Sequence, residues 1–199
     1  MQRVDPRVKR TRSNVLRVAA EILLTRGWDH VTNAAVAKEA GYSKATLYKH
    51  WPEPLDLLRA AFLHIGGIEF HGEVTGDLRT DLIAELDAYR VVLTEHRLAG
   101  PLIGLADRAR TDPDLASIRD QFLAEGQAPT LALIRHGVAS HLLRSDLPIT
   151  PTADLLSGAL TWRVAVLGES VDRAYVVDIV DTVLRGVLRP ENATPSANG

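Results

Sequence analysis

The stretch Thr32–Trp51, TNAAVAKEAGYSKATLYKHW, decides the fold. Thr32 is a good N-cap for a short helix running to about Ala40. Gly41 stands where that helix must end and the chain must turn sharply. Ser43 caps a second helix, Lys44 to His50. Pro52 stops it, because the residue before a proline is pushed out of the helical region. The first helix turns Ala35, Val36 and Ala40 inward, and such small residues permit close packing. The second has one apolar anchor, Leu47, and presents Lys44, Ala45, Thr46, Tyr48, Lys49 and His50 around it. Two short helices around a tight turn, the outer one basic, match the helix-turn-helix layout. In that layout one helix enters the major groove of DNA and its partner braces it across the backbone.

The flanking segments read as a frame for this pair. Before it, a helix starts at Pro6 or Thr11, with Val15, Val18, Ala19, Ile22 and Leu23 at helical spacing and Gly27 as its left-handed end. Trp28 and Val31 lie in the connection and are expected to pack beneath it. Residues 1–12 carry five basic residues between Arg3 and Arg12 and little apolar content, and read as a mobile basic arm. After the pair, a helix from about Glu53 to Ile68 carries Leu55, Leu58, Phe62 and Ile65 as its apolar stripe. Gly66, Gly67, Gly72 and Gly76 then crowd residues 66–76, which read as a hinge between domains at 13–65 and 77–189.

The second domain is helical by pattern, with no alternating strand signal. Helices are expected from Asp77 or Leu78 to Glu95, from Pro101 to Arg110, and from Asp114 to about His141 with a bend near Gly126 and Pro129. Two more follow, Thr152–Leu167 and Asp172–Leu188. Residues 190–199 read as a polar disordered tail. The fold class is therefore all-α: an N-terminal three-helix DNA-binding domain and a C-terminal helical domain.

Bulk properties narrow the function classes. The 199 residues are 46% hydrophobic with a net charge of −2 and no cysteine, which excludes disulfides, thiolate metal sites and cysteine nucleophiles. No run of about 18 uncharged apolar residues predicts a membrane span, and a cytoplasmic protein is the expectation. Charge is unevenly placed. Residues 1–51 hold ten Lys/Arg against four Asp/Glu, and the remainder thirteen against twenty-one, or +6 against −8. All four lysines, Lys9, Lys38, Lys44 and Lys49, lie in the basic part. A basic head on an acidic body is the electrostatic footprint of a nucleic-acid reader.

The outer helix carries suitable chemistry for that task. Lys44 and Lys49 can donate to guanine edges or neutralise phosphates, and Ala45 and Thr46 can approach a base closely. Tyr42 in the turn, with Tyr48 and His50, suits phosphate contact through a polar tip. Thr32 and Ser43 sit at helix starts, where free N–H groups favour a phosphate oxygen.

The segment VTNAAVAKEAGYSKATLYKHWPEPLDLL resembles the DNA-binding segment of the TetR (tetracycline-repressor) family of bacterial transcription regulators. Thr32, Val36-Ala37, Ala40-Gly41, Ser43, Leu47-Tyr48, His50 and the aromatic Trp51 carry the likeness in register, and it extends over about residues 10–65. Trp51 replaces the more usual phenylalanine. Pro54 stands where the family often has a lysine, which removes one phosphate contact and gives the Arg3–Arg12 arm a compensating role. The resemblance implies a homodimer of all-helical subunits bound to a palindromic operator. It also implies a small-molecule ligand that lowers DNA affinity by changing the spacing of the two recognition helices.

The second domain supplies candidates for the other two roles. Tyr89, Leu93, Leu105, Phe122 and Trp162 are the candidate lining of an effector pocket, with Arg90, His96, His136 and Arg163 as polar partners. Leu155, Leu156, Ala159, Leu160, Val176, Val180, Val183, Leu184 and Val187 give the last two helices more apolar faces than one neighbour needs. A partner subunit is a natural cover for them. No two of the seven histidines stand at the i, i+4 spacing of a helical zinc site, so neither a metal nor a cofactor is expected. No G-x-S-x-G elbow, P-loop or Rossmann glycine pattern occurs, which argues against an enzyme. The alternatives are a helical interaction module, or an enzyme, with a degenerate helix-turn-helix.

Overall fold

A computed structural model describes residues 6–66, 71–72 and 74–186. Among them are nine α-helices and no strand. The helices are α1 (Pro6–Arg26), α2 (Asn33–Ala40), α3 (Lys44–His50), α4 (Pro54–Gly66), α5 (Leu78–Thr94), α6 (Ala99–Arg108), α7 (Pro113–Ala139), α8 (Ile149–Thr161) and α9 (Arg173–Arg185). A 3-10 turn, Trp28–His30, links α1 to α2, and α8 runs on into a π-helical turn, Trp162–Val166. No helix among the described residues is long and apolar enough to cross a membrane. The chain forms two compact units, Met1–Phe70 with Val91–Ala128, and His71–Arg90 with Pro129–Gly199.

In the first unit α1 starts at Pro6, the earlier of the two expected positions, so residues 6–12 belong to its first turns instead of to an arm. Residues 1–5 lie outside the described ones. Val15, Val18, Ala19, Ile22 and Leu23 form a buried stripe with the 3.6-residue period that the sequence displays. On α4 the buried face is Leu57, Ala61, Phe62 and Ile65, while Leu55 and Leu58 are half-buried flanks. Phe62, common to the expected and observed faces, stacks on Trp28 with ring centroids 5.5 Å apart and forms a T-shaped pair with Phe122 at 5.2 Å. Trp28 also donates from Nε1 to the Pro101 carbonyl at 3.0 Å, joining α6 to the turn after α1. Gly104 lets the Nε1–Cδ1 edge of that ring approach α6, since a Cβ there would stand 2.5 Å from Nε1. Arg108 lies over the ring at 5.3 Å and pairs with Asp29 at 2.9 Å.

In the second unit the segment before α5 is not the free joint that its glycines suggest. Two carboxylates one turn apart on α5 hold it, each almost wholly buried. Asp81 accepts from Thr75 N and Oγ1, both at 2.7 Å, and from Gly76 N at 3.0 Å. These bonds, that of the Thr75 hydroxyl first, hold its carboxyl below the usual range. Glu85 accepts from His71 Nδ1 at 3.1 Å and Gly72 N at 3.2 Å. Gly72 serves close approach here, because a Cβ would lie 2.6 Å from the backbone of Ala84. Residues 67–70 and 73 of the expected hinge lie outside the described residues. Helix α7 runs unbroken through Gly126 and Pro129, where a bend was expected. Asp172 caps α9 by accepting from Tyr175 N at 2.9 Å. Arg79 grips Asp181 of α9 at 2.6 and 3.1 Å, which depresses the Asp181 carboxyl.

Candidate nucleic-acid interface

Caps and one buried anchor build the helix pair. Thr32 Oγ1 accepts from Ala35 N at 3.1 Å and starts α2; Ser43 Oγ accepts from Thr46 N at 3.2 Å and starts α3. An N-cap of this kind contributes about 1 kcal/mol. Gly41 closes α2 with φ of 75°, a left-handed conformation that a side chain would strain, and Tyr42 N then returns to Ala37 O at 2.9 Å. Val36, Ala37 and Leu47 point into the core, with Leu47 the one buried side chain of α3. Fully burying a leucine stabilises by roughly 1.5–3 kcal/mol, and here that energy seats a seven-residue helix. Arg26 of α1 forks onto Glu39 of α2 at 2.6 and 3.3 Å.

The predicted contact residues separate into three groups. Lys44, Ala45, Tyr48, Lys49 and His50 are exposed together around α3, Tyr48 at 51%. Thr32 and Ser43 are exposed, but their hydroxyls cap helices; Ser43 Oγ is also hydrogen-bonded to Thr46 Oγ1 at 2.9 Å. Thr46 is half-buried, and Tyr42 is half-buried against the core. Beside the end of α3, Trp51 is buried, with the His50 ring 5.7 Å away and the Arg12 guanidinium 6.0 Å from the ring centre. Two residues escaped the sequence reading. Ala37 is buried beside Val36, while the expected Ala35 and Ala40 are half-buried, Ala40 against the core, and Asn33 is buried with Nδ2 donating to the Trp51 carbonyl at 3.0 Å.

The effector candidates are divided between the two units. Leu93, Leu105 and Phe122 belong to the first unit, where Leu93 and Leu105 are fully buried and Phe122 packs on Phe62. Tyr89 and Trp162 belong to the second. Tyr89 is largely buried and its hydroxyl bonds Thr161 Oγ1 at 2.8 Å; burial pushes the phenol up, and the Thr161 bond partly offsets this. Trp162 is 57% exposed.

The apolar surplus of the last helices also divides. Leu156, Leu160, Val176 and Val180 are buried within the chain, where α8 packs on α9. Ala159, Val183 and Leu184 are half-buried, and Val187 lies outside the described residues. Leu155, at 65% exposure, is joined at spacings of four, three and four by Ala159, Trp162 and Val166, a single helical face.

Two family models match the chain. One, described as the tetracyclin repressor-like C-terminal domain, covers residues 73–183. The other, bacterial regulatory proteins of the tetR family, covers residues 15–61. The DNA-binding transcriptional repressor TetR of Mycobacteroides abscessus is 32% identical over 180 residues, 88% of this chain and 93% of that protein. The HTH-type transcriptional regulator YdeS of Bacillus subtilis is 29% identical over 189 residues, 94% of each chain. The crystal structure of the TetR family transcription regulator SCO0332 matches with a TM-score of 0.67 at 35% identity, over 90% of this chain and 99% of that one.

Proposed function

Since the chain belongs to the TetR family of DNA-binding transcriptional regulators, we propose that it is a homodimeric repressor released from a palindromic operator by a small molecule. The observation that carries the DNA reading is the exposed row Lys44, Ala45, Tyr48 and Lys49 on a short helix seated by Leu47. Lys44 and Lys49 supply donors for guanine edges or phosphates, Ala45 the close approach, and Tyr48 and His50 phosphate contacts. Residues 13–65 then form the reading domain, and residues 77–189 carry effector binding and dimerisation.

A second copy would cover the face Leu155, Ala159, Trp162 and Val166. Exposed large apolar side chains in one row are a poor surface for a monomer and a good one for a two-fold contact. Two copies of α3 then meet half-sites one or more helical turns apart, at about 34–36 Å per turn. Repression is favoured because the 32%-identical relative is named a repressor. In this reading the protein acts on chromosomal DNA in the cytoplasm.

Fluorescence anisotropy with the DNA upstream of the protein's own gene tests the proposal. Binding to one sequence, weakening steeply with added salt, is expected. Binding to no sequence at low salt would leave an interaction module instead, and substrate turnover without DNA affinity an enzyme.

A further inference from the structure

Both short helices of the reading pair end on a carbonyl that accepts a hydrogen bond from an amide side chain of the preceding helix. Asn14 of α1 donates through Nδ2 to the carbonyl of Ala40, the last residue of α2, at 3.3 Å. Asn33, the first residue of α2, donates through Nδ2 to the carbonyl of Trp51, the C-cap of α3, at 3.0 Å. The last carbonyls of a helix have no partner inside it. In a seven-residue helix these end groups are a large share of the whole. Leu47 sets the depth at which α3 sits, and the buried Trp51 ring holds its C-terminal end in the core. The Asn33–Trp51 bond adds a directional constraint at that end, tying the α3 terminus to the first turn of α2.

Asparagine is a poor choice here for stability alone. Asn33 is 4% exposed, and its Oδ1 has no protein partner among the described residues. A buried polar atom left in that state weighs against the folded form, a burden that a leucine of similar size would exchange for the loss of the donor to the Trp51 carbonyl. What asparagine alone provides is the directional bond to Trp51. We propose that Asn33 is a positioning residue for the recognition helix, holding α3 at the angle operator contact requires at the expense of stability. The inference rests on the reading of α3 as the DNA-contacting element.

The test uses the full-length protein carrying Asn33→Leu and, separately, Asn33→Ala. Thermal midpoint, amide hydrogen exchange across residues 44–51 without DNA, and affinity for the operator selected by the wild type are measured. Asn33→Leu removes the unpaired Oδ1 but also the donor to the Trp51 carbonyl, so it should melt within a few degrees of the wild type. Exchange in α3 should quicken about tenfold and operator affinity fall about tenfold, the scale of one lost hydrogen bond. Unchanged exchange and affinity would overturn the proposal. So would losses in both variants that merely track a falling melting temperature, which would make Asn33 structural only. Should Asn33→Leu fail to fold, Asn33→Ala, studied below its melting temperature, decides by the same criteria. If the wild type selects no sequence, the DNA reading fails, and the exchange measurement alone still decides whether Asn33 holds α3.

Discussion

Replacing Gly104 by alanine sets two effects of opposite sign against each other. The glycine lies inside α6 with an ordinary helical backbone, so helix propensity by itself favours alanine by about 0.8–1 kcal/mol. The new Cβ, however, would stand 2.5 Å from Trp28 Nε1 and 2.6 Å from Cδ1. The ring has little room to give, with Phe62 stacked on it, Arg108 across it, and Nε1 committed to the Pro101 carbonyl. Overpacking a close-fitted core costs about 1–3 kcal/mol, and stranding the buried indole N–H costs about 1–3 more. The clash wins, leaving a net loss of about 1–5 kcal/mol. At roughly 2–4 °C per kcal/mol for a chain of this size, the melting temperature should fall by several degrees. Urea unfolding followed by tryptophan fluorescence and circular dichroism measures this directly. Gly126→Ala in α7 is the control: nothing lies within 4 Å of the new Cβ, so a gain approaching 1 kcal/mol is expected. A stabilising Gly104→Ala of similar size would show that α6 is not held by Trp28. In a Trp28→Leu background Gly104→Ala should cost less than it does alone, because the obstructing ring is gone.

Lys44→Ala or Lys49→Ala should weaken operator binding by about 1–3 kcal/mol, with relaxed specificity at one position if the lysine reads a base. A uniform loss across sequences in anisotropy titrations would make it a phosphate contact. In the proposed dimer, Leu155→Glu with Trp162→Glu should give a monomer in sedimentation, and an unchanged mass would place the interface elsewhere. Asp81 has a depressed folded-state pKa, so its contribution is complete above the ordinary carboxylate value of about 3.9 and fades as pH falls through the lower folded value. Asp81→Asn should therefore lose stability less steeply than the wild type between about pH 5 and pH 2, and equal slopes by circular dichroism would refute this.

The residues that announced the reading pair do so through local chemistry. Thr32 and Ser43 cap within three residues of themselves, and Gly41 takes the left-handed turn that its lack of a side chain permits. The stripe Val15, Val18, Ala19, Ile22 and Leu23 was readable because helical period is a property of the chain itself. The family resemblance was legible for the same reason, since its motif is contiguous. The glycines at 72 and 76 misled because glycine signals freedom or close approach equally well. Only the carboxylates of Asp81 and Glu85, folded back on them, decide between the two. Similarly, Leu156 and Leu155 are indistinguishable as letters, yet one is buried against the protomer's own helices and the other is 65% exposed.

The sequence by itself therefore determined the all-helical class, the capped helix pair and the basic outer helix with Leu47 as its anchor. Each depends on side chains and backbone within a turn or two of one another. Tertiary structure alone decided the bonds across longer separations: Asn33 to Trp51, Trp28 to Pro101, and Arg79 to Asp181 over 102 residues. It also decided which apolar side chains of α8 are buried and which, such as Leu155 and Trp162, stay exposed. A donor, a carbonyl or a leucine can meet many partners, and which one it meets is settled when distant segments pack together.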